Sequence, residues 1–266
     1  MVELFVNFRR SRPALFGNDK PWGLGCLVGL LVQAGISQSA VGQCLEAVGV
    51  AASFNITQTW ASPSVISVGR YTLLTEADRA RYDDVGYHFA AYARWQASNS
   101  RFFVQPELGY TSSRGNSYFI AYYVGTPGPL GPDVVPFSHA LHRWELAALA
   151  GLHTGRRTYL LAGPVLVVNR REALVAVDPA SPSSAVSNSL VQSVEPVQLL
   201  GQVGVGFLAG RFDFNLRYEQ SLTPYSRRFV FENNFYGYRQ QVRQGLFTAG
   251  FLLYKNKQQL PEEFSR

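Results

Sequence analysis

The chain has little cysteine, methionine or charge, and few histidines. Of its 266 residues, two are cysteine, one is methionine and four are histidine. Cys26 lies in an N-terminal apolar run that reads as removable, which leaves Cys44 alone and excludes an intramolecular disulfide. Gln43, just before Cys44, is unlike a lipoprotein signal. Charged residues make up 16%, against roughly 25% in soluble domains. Long hydrophobic runs are also missing. The longest uncharged apolar stretch, Trp22–Ile36, is about 15 residues, short of the roughly 20 a spanning helix needs. A bundle of membrane helices is therefore excluded. The formal net charge of +6 is scattered, with no dense basic run or basic helix, so no nucleic-acid partner is expected. No serine stands in a G-x-S-x-G context. Among His88, His139, His142 and His153, only His139 and His142 are spaced i, i+3, with no metal-ligand set around them. No metal, cofactor or catalytic residue is expected.

What the chain does have is alternation. In Arg211–Ser221, RFDFNLRYEQS, the residues Phe212, Phe214, Leu216 and Tyr218 share one parity, and Asp213, Asn215, Arg217 and Glu219 the other. A period of two marks a strand with one oily and one wet face. About eight such segments recur, with lengths suited to membrane spans of about 9–11 residues. Near Ala47–Ile56, Val48, Val50, Ala52, Phe54 and Ile56 alternate with small or polar residues. VGYHFAAYARWQA sets Tyr87, Phe89 and Trp95 against His88, Tyr92, Arg94 and Gln96. RFFVQPELGYTS sets Phe102, Val104, Leu108 and Tyr110 against Gln105 and Glu107. HRWELAALAGLHT sets Trp144, Leu146 and Leu152 against Arg143, Glu145 and His153. Thr158–Val168 is apolar on both faces. Pro196–Ala209 sets Val197, Leu199, Val203, Val205 and Phe207 against Gln198 and Gln202. In the last, RQGLFTAGFLLY, the faces are mixed.

The connections alternate in length. Ser98-Asn99, Gly155-Arg156 and Gly210 read as tight turns. Residues 57–84, 113–139, 169–195 and 222–241 read as long loops, beyond the 12–15 residues usual in compact soluble domains. GTPGPLGPDVVP and DPASPSSAVSNS within them read as mobile. PYSRRFVFENNFYGYRQQ, with Tyr225, Phe229, Phe231, Phe235, Tyr236 and Tyr238, reads as a strand extension, with a contact surface as the alternative. An even, antiparallel up-and-down barrel puts short turns at one rim and long loops at the other, as outer-membrane barrels do. Aromatics of the outward parity form two rows. Trp95, Phe102, Tyr159 and Phe212 lie toward the short-turn rim, and Tyr87, Tyr110, Trp144 and Tyr218 toward the other, matching the girdles at membrane interfaces. Mean hydropathy of −0.03 suits a barrel whose every second residue faces a polar lumen.

Residues 1–42 read as a signal region: Arg9, Arg10, Arg12 and Lys20, then the apolar run, then Ala40-Val41-Gly42 at the cleavage site. Their removal leaves a charge of +4. The barrel is expected over 43–254 and a polar tail over 255–266.

GYHFAAYARW with RFFVQPELGYTS, YLLAGPVLVVN, VGVGFLAGRFDFNLRYEQSLT and the closing TAGFLLY resemble the PorT-like family of small outer-membrane β-barrel proteins. The run Gln105–Tyr110 and the run Leu216–Glu219 before Leu222-Thr223 carry the likeness, which covers roughly residues 45–254 in strand order. The resemblance implies an eight-stranded barrel in the outer membrane of a Gram-negative cell and no particular activity. The tail Lys255–Arg266 departs from family chains, which stop at the last aromatic strand.

The expectation is an all-β, eight-stranded antiparallel transmembrane barrel with short periplasmic turns and long extracellular loops. Its lumen would hold a polar network of His88, Arg94, Gln105, Glu107, Arg143, Glu145, Asp213, Asn215, Arg217 and Glu219, filled rather than open. Its role would be structural or interactive and not enzymatic. Expected partners are outer-membrane lipid, the barrel-assembly machinery and envelope proteins met through the extracellular loops. Three other readings stay open: a secreted soluble barrel with a small apolar ligand inside, a barrel-embedded lipid hydrolase, and a narrow channel.

Overall fold

The computed structural model describes residues 43–62, 65–68, 71–74, 85–97, 100–121, 133–170, 189, 192–231 and 233–256. Residues 1–42, read as a signal region, most of both loops read as mobile, and the residues from 257 onward lie outside the described residues. Among the described residues there are eleven strands: β1 (Gln43–Ser62), β2 (Val65–Val68), β3 (Tyr71–Leu74), β4 (Val85–Ala97), β5 (Phe102–Ala121), β6 (Asp133–His153), β7 (Thr158–Arg170), β8 (Val197–Ala209), β9 (Phe212–Ser221), β10 (Ser226–Phe231) and β11 (Asn234–Lys255). Eight of them, β1, β4 to β9 and β11, pair antiparallel in chain order, and β1 pairs with β11 to close the ring. Closure matters because lipid offers no partner to an unpaired edge.

Alternation decides the two faces. On β9 every residue of the oily parity is exposed, Leu216 to 58%, and every residue of the polar parity is buried. The same holds on β1, where Phe54 and Ile56 are 61% and 62% exposed beside buried Ser53, Asn55 and Thr57. The apolar band therefore faces outward. The reading as a soluble barrel with an apolar interior is overturned by that exposure.

The strands are longer than expected. β1, β5, β6 and β11 have 20, 20, 21 and 22 residues, about twice a membrane span. Much of what read as loop is strand. β5 and β6 stay paired from Arg114↔Ala140 to Ala121↔Asp133, and Asp133–Pro136 of the segment read as mobile belongs to this ribbon. The reading of PYSRRFVFENNFYGYRQQ as a strand extension agrees with the structure: β11 continues past the barrel to pair with β10, turning at Asn233 with φ 64°. β2 and β3 form a separate hairpin within residues 57–84. Local polarity and proline had masked this pairing, because a strand standing in water needs no apolar face toward lipid.

The short-turn rim is tight. Gly210 turns β8 into β9 with φ 65°, a conformation that suits a residue without a Cβ. At the same rim, Phe103 and Tyr159 turn inward and lie across the barrel wall from glycines. An added Cβ would meet the Phe103 ring at 2.0 Å from Gly151, and the Tyr159 ring at 2.0 Å from Gly206. Both pairs sit in direct register. Without these glycines the two rings would have no room in so narrow an interior.

Candidate functional site

The candidate site is the lumen, and its walls are unequal. β7 contributes inward Tyr159, Leu161, Val165 and Val167, and neighbouring strands add Leu149, Leu200 and Leu208, all part of one buried apolar cluster. The charged side chains come chiefly from β4, β5, β6 and β9. Three arginines, Arg94, Arg143 and Arg217, face four carboxylates, Glu107, Glu145, Asp213 and Glu219, and all are at least 96% buried. Each ion so far from water would cost several kcal/mol unpaired, so each must be matched within the barrel.

The matching runs along the axis. At the short-turn end the Arg94 guanidinium lies over the rings of Phe103 (4.5 Å) and Tyr159 (4.6 Å). Its Nη2 donates to Asp213 Oδ2 at 3.1 Å, and Nε and Nη2 donate to Gln105 Oε1 at 2.9 and 2.8 Å. Asp213 also accepts from the Tyr92 hydroxyl at 2.9 Å and from the Tyr159 hydroxyl. Gln105 passes the chain on, donating to Glu107 Oε2 at 3.0 Å. Glu107 Oε1 accepts from Arg217 Nη1 at 2.6 Å, and Arg217 Nε donates to Asn215 Oδ1 at 2.6 Å.

Nearer the long-loop rim, Glu145 Oε1 accepts from Arg143 Nε and from the Thr111 hydroxyl, both at 2.6 Å. Arg143 Nη2 reaches Glu219 Oε2 at 3.2 Å. Glu219 also accepts from Gln202 Nε2 at 2.6 Å and from Gln244 Nε2. His88 Nε2 stands 3.5 Å from Glu145 Oε2, and its Nδ1 is 3.3 Å from the Ser53 hydroxyl. Ser53 Oγ is 2.8 Å from Thr248 Oγ1. Above this layer a second apolar cluster of Leu141, Val194, Tyr225 and Val242 caps the interior. Burial raises the pKa of the Tyr225 hydroxyl, so the cap stays neutral. The opposite end is floored by Phe103, His153 and Tyr159, with ring centroids 4.8 Å apart for the first pair. There Glu46 Oε1 lies 3.3 Å from His153 Nε2 and 4.0 Å from Arg94 Nη1.

All ten residues read as lumen polar are buried on the inward face. Seven of the eight read as interface aromatics lie on the outward face. Tyr87, Phe102, Trp144, Phe212 and Tyr218 are exposed, and Trp95 and Tyr110 are half-buried. Tyr159 is the exception. It is fully buried, points into the lumen and donates to Asp213, so it is no girdle residue. β7 is apolar on both faces and gave no contrast from which to read its parity. Glu46, Ser53, Phe103, Thr111, Gln244 and Thr248 were also missed as members of the interior. An inward-parity glycine opposite Phe103 and Tyr159 was the available signal for those two. His142 stacks on Tyr110, 3.1 Å from its hydroxyl. The side chain of His139 lies outside what is described. Among the described residues no group of three or more His, Cys, Asp or Glu could hold a metal ion.

A closed, even-stranded antiparallel barrel with a self-paired polar interior and an apolar exterior is an integral outer-membrane β-barrel, with its short turns periplasmic and its long loops extracellular. No family model and no curated protein matches the chain. Among solved structures, Ail of Yersinia pestis, in complex with the heparin analogue sucrose octasulfate, aligns over 79% of this chain and 99% of its own, at 9% identity and a TM-score of 0.37. The outer membrane protein AlkL in lipid bilayers aligns over 82% and 95%, at 11% identity and a TM-score of 0.33. The toluene transporter TodX of Pseudomonas putida aligns over 82% and 90%, at 7% identity and a TM-score of 0.20.

Proposed function

We propose that this chain is a non-enzymatic barrel of the PorT-like kind, closed to solutes, whose work is structural or interactive and done by the strands above the extracellular rim. One observation carries the reading: the charges of the lumen are paired with one another, beside an apolar wall and beneath an apolar cap. Binding and transport sites keep polar groups available for a ligand. Here the carboxylates of Glu107, Glu145, Asp213 and Glu219 each already hold an arginine. Among the described residues, the β10–β11 ribbon offers a surface for contact, its outer face carrying Arg228 over the Phe235 ring at 5.6 Å, beside exposed Val230. Exposed aromatics and arginine are the residues that concentrate binding energy at protein interfaces. Envelope proteins are the partners this surface fits, and membrane entry is assigned to the barrel-assembly machinery.

A hydrolase reading has one observation in its favour, the line Ser53–His88–Glu145. Two features weigh against it. Glu145 is neutralised by Arg143, and Ser53 is 94% buried on the inward face, away from any lipid ester.

Purified protein in planar bilayers is expected to give no stable conductance steps, and phospholipid in the same membranes is expected to stay intact. Steady unit conductance would overturn the closed lumen. Fatty-acid release abolished by Ser53→Ala or His88→Ala in a folded barrel would overturn the non-enzymatic reading.

A further inference from the structure

The hydrogen-bonded ladder of the barrel is interrupted inside the membrane at two seams, and a proline stands at each. Between β4 and β5 the register reaches Tyr92↔Glu107 and resumes at Trp95↔Val104, leaving out Ala93 and Arg94 opposite Gln105 and Pro106. Between β6 and β7 it stops at Ala147↔Val165 and resumes at Ala150↔Ala162, leaving out Ala148 and Leu149 opposite Gly163 and Pro164. A proline has no N–H to give, so the facing carbonyls, those of Ala93 and Ala148, each lose a ladder donor. Lipid tails offer no substitute. The two breaks lie at one level, because Pro106 pairs directly with Ala148. They flank the β5–β6 hairpin, whose own ladder is unbroken from Phe102↔Leu152 to Ala121↔Asp133. The β7–β8, β8–β9 and β9–β11 ladders run without such a break.

The two breaks differ in what spans them. At β4–β5 the inward residues are Arg94 and Gln105, and Arg94 Nε and Nη2 donate to Gln105 Oε1 at 2.9 and 2.8 Å. A buried guanidinium thus stitches that seam, and charge-assisted bonds are the strong ones. At β6–β7 the inward residues are Leu149 and Gly163. Leu149 can only pack, and a Cβ on Gly163 would meet Ala148 O at 2.2 Å, so no side chain can stand there. Along β7 the inward Leu161, Val165 and Val167 have no polar atoms to offer either. The ion pairs of the hairpin pass β7 by: Glu107 holds Arg217 and Arg143 reaches Glu219, both on β9.

We propose that the β6–β7 seam is the line along which this barrel first parts. The β5–β6 hairpin moves away from β7 as one piece, with the stitched β4–β5 seam as its hinge. The same hairpin carries the ribbon above the membrane, from Arg114↔Ala140 to Ala121↔Asp133, so a displacement of that ribbon is received at one defined seam. The seam has this property whether or not the lumen is sealed and whatever the ribbon contacts.

The test is kinetic and uses the full chain in phosphatidylcholine vesicles, with Cys26→Ser and Cys44→Ser as background. Unfolding in concentrated urea is followed by tryptophan fluorescence. Reinforcing an interaction that is already broken at the transition state slows unfolding, whereas reinforcing one that survives there does not. L146C/L166C sets a disulfide between directly opposed residues of β6 and β7. It is expected to slow unfolding about ten-fold or more, an effect that dithiothreitol abolishes. V205C/L216C across β8–β9 and A91C/L108C across β4–β5 are expected to stay within about two-fold of their reduced chains. Pro164→Val returns a donor to the Ala148 carbonyl and is expected to slow unfolding about 2–10-fold. Pro106→Val, at the stitched seam, is expected to do less. Equal slowing by the three disulfides, or the largest slowing at β8–β9 or β4–β5, overturns the proposal. So does a P164V chain that keeps its boiled-versus-unboiled gel shift and unfolds no more slowly. The disulfide and proline variants are read independently, so if one set fails to fold the other decides.

Discussion

β7 and β9 cross the same membrane two strands apart, yet they present opposite interiors. β9 turns Asp213, Asn215, Arg217, Glu219 and Ser221 inward, all buried. β7 turns Tyr159, Leu161, Val165 and Val167 inward, equally buried. The outward faces are alike, Phe212, Phe214 and Leu216 on one strand and Leu160, Leu166 and Val168 on the other. Lipid dictates the outside of every strand, but the inside is free to be charged or apolar, provided the barrel as a whole is filled and its ions are matched. The interior thus has a dry wall and a charged wall. The charges gather where partners from β4, β5 and β6 can reach them.

The largest effect expected from breaking this arrangement is on the charged wall. Arg217→Met removes the cation bonded to Glu107 at 2.6 Å and leaves that carboxylate buried. A loss of about 3–5 kcal/mol is expected, the cost of orphaning one member of a buried ion pair. Urea titration of the barrel in lipid vesicles, followed by tryptophan fluorescence, measures it. Adding Glu107→Leu to the same chain should recover most of the loss, because a matched apolar pair also fits a filled interior. If the double variant is as unstable as the single one, the charges do more than satisfy each other.

The dry wall should respond to volume instead. Leu161→Ala opens a cavity at a fully enclosed position, 3% exposed, and is expected to cost about 2–5 kcal/mol. Leu160→Ala, one residue away and 48% exposed, should cost much less, because lipid tails as apolar as leucine move into the space. The same urea titration compares the two. Equal losses would mean that β7 has no distinct inside.

The contrast between these strands also explains what could be read from the amino-acid order. Where the two faces differ in chemistry, as on β9 and around His88, Gln105 and Glu145, period-two alternation assigns every side chain to its face. Where both faces are apolar, as on β7, the period is present and invisible, and Tyr159 was placed on the wrong side. Strand length was hidden for a different reason. The upper parts of β5, β6 and β11 stand above the membrane, so nothing requires their outward residues to be oily. Asp133–Pro136 therefore resembles loop, whereas the dense aromatics around Ser226–Phe231 let that segment read as a strand extension. Identity of the hydrogen-bond partners was not legible at all. Whether Arg217 meets Glu107 or Glu219 depends on register and stagger between strands far apart in sequence, which alternation does not encode.

Tyr159 offers the finest test, because it stands where the two walls meet. It belongs to β7, yet its hydroxyl donates to Asp213 of β9, and the Arg94 guanidinium lies over its ring at 4.6 Å. Tyr159→Phe keeps the ring, and with it the packing over Arg94 and against Phe103 at 5.7 Å. It removes only the hydroxyl. Asp213 would keep Arg94 and Tyr92 as donors, so the carboxylate is weakened and not orphaned. The expected loss is about 1–3 kcal/mol, that of a hydrogen bond to a buried charged group. A girdle tyrosine on the lipid face would lose almost nothing by the same change, since its hydroxyl there has water and headgroups to choose from. Tyr218→Phe, on the outward face of β9 and 43% exposed, supplies that reference in the same barrel. If the two substitutions shift the urea midpoint equally, Tyr159 does not join the walls, and β7 takes no part in the charged network.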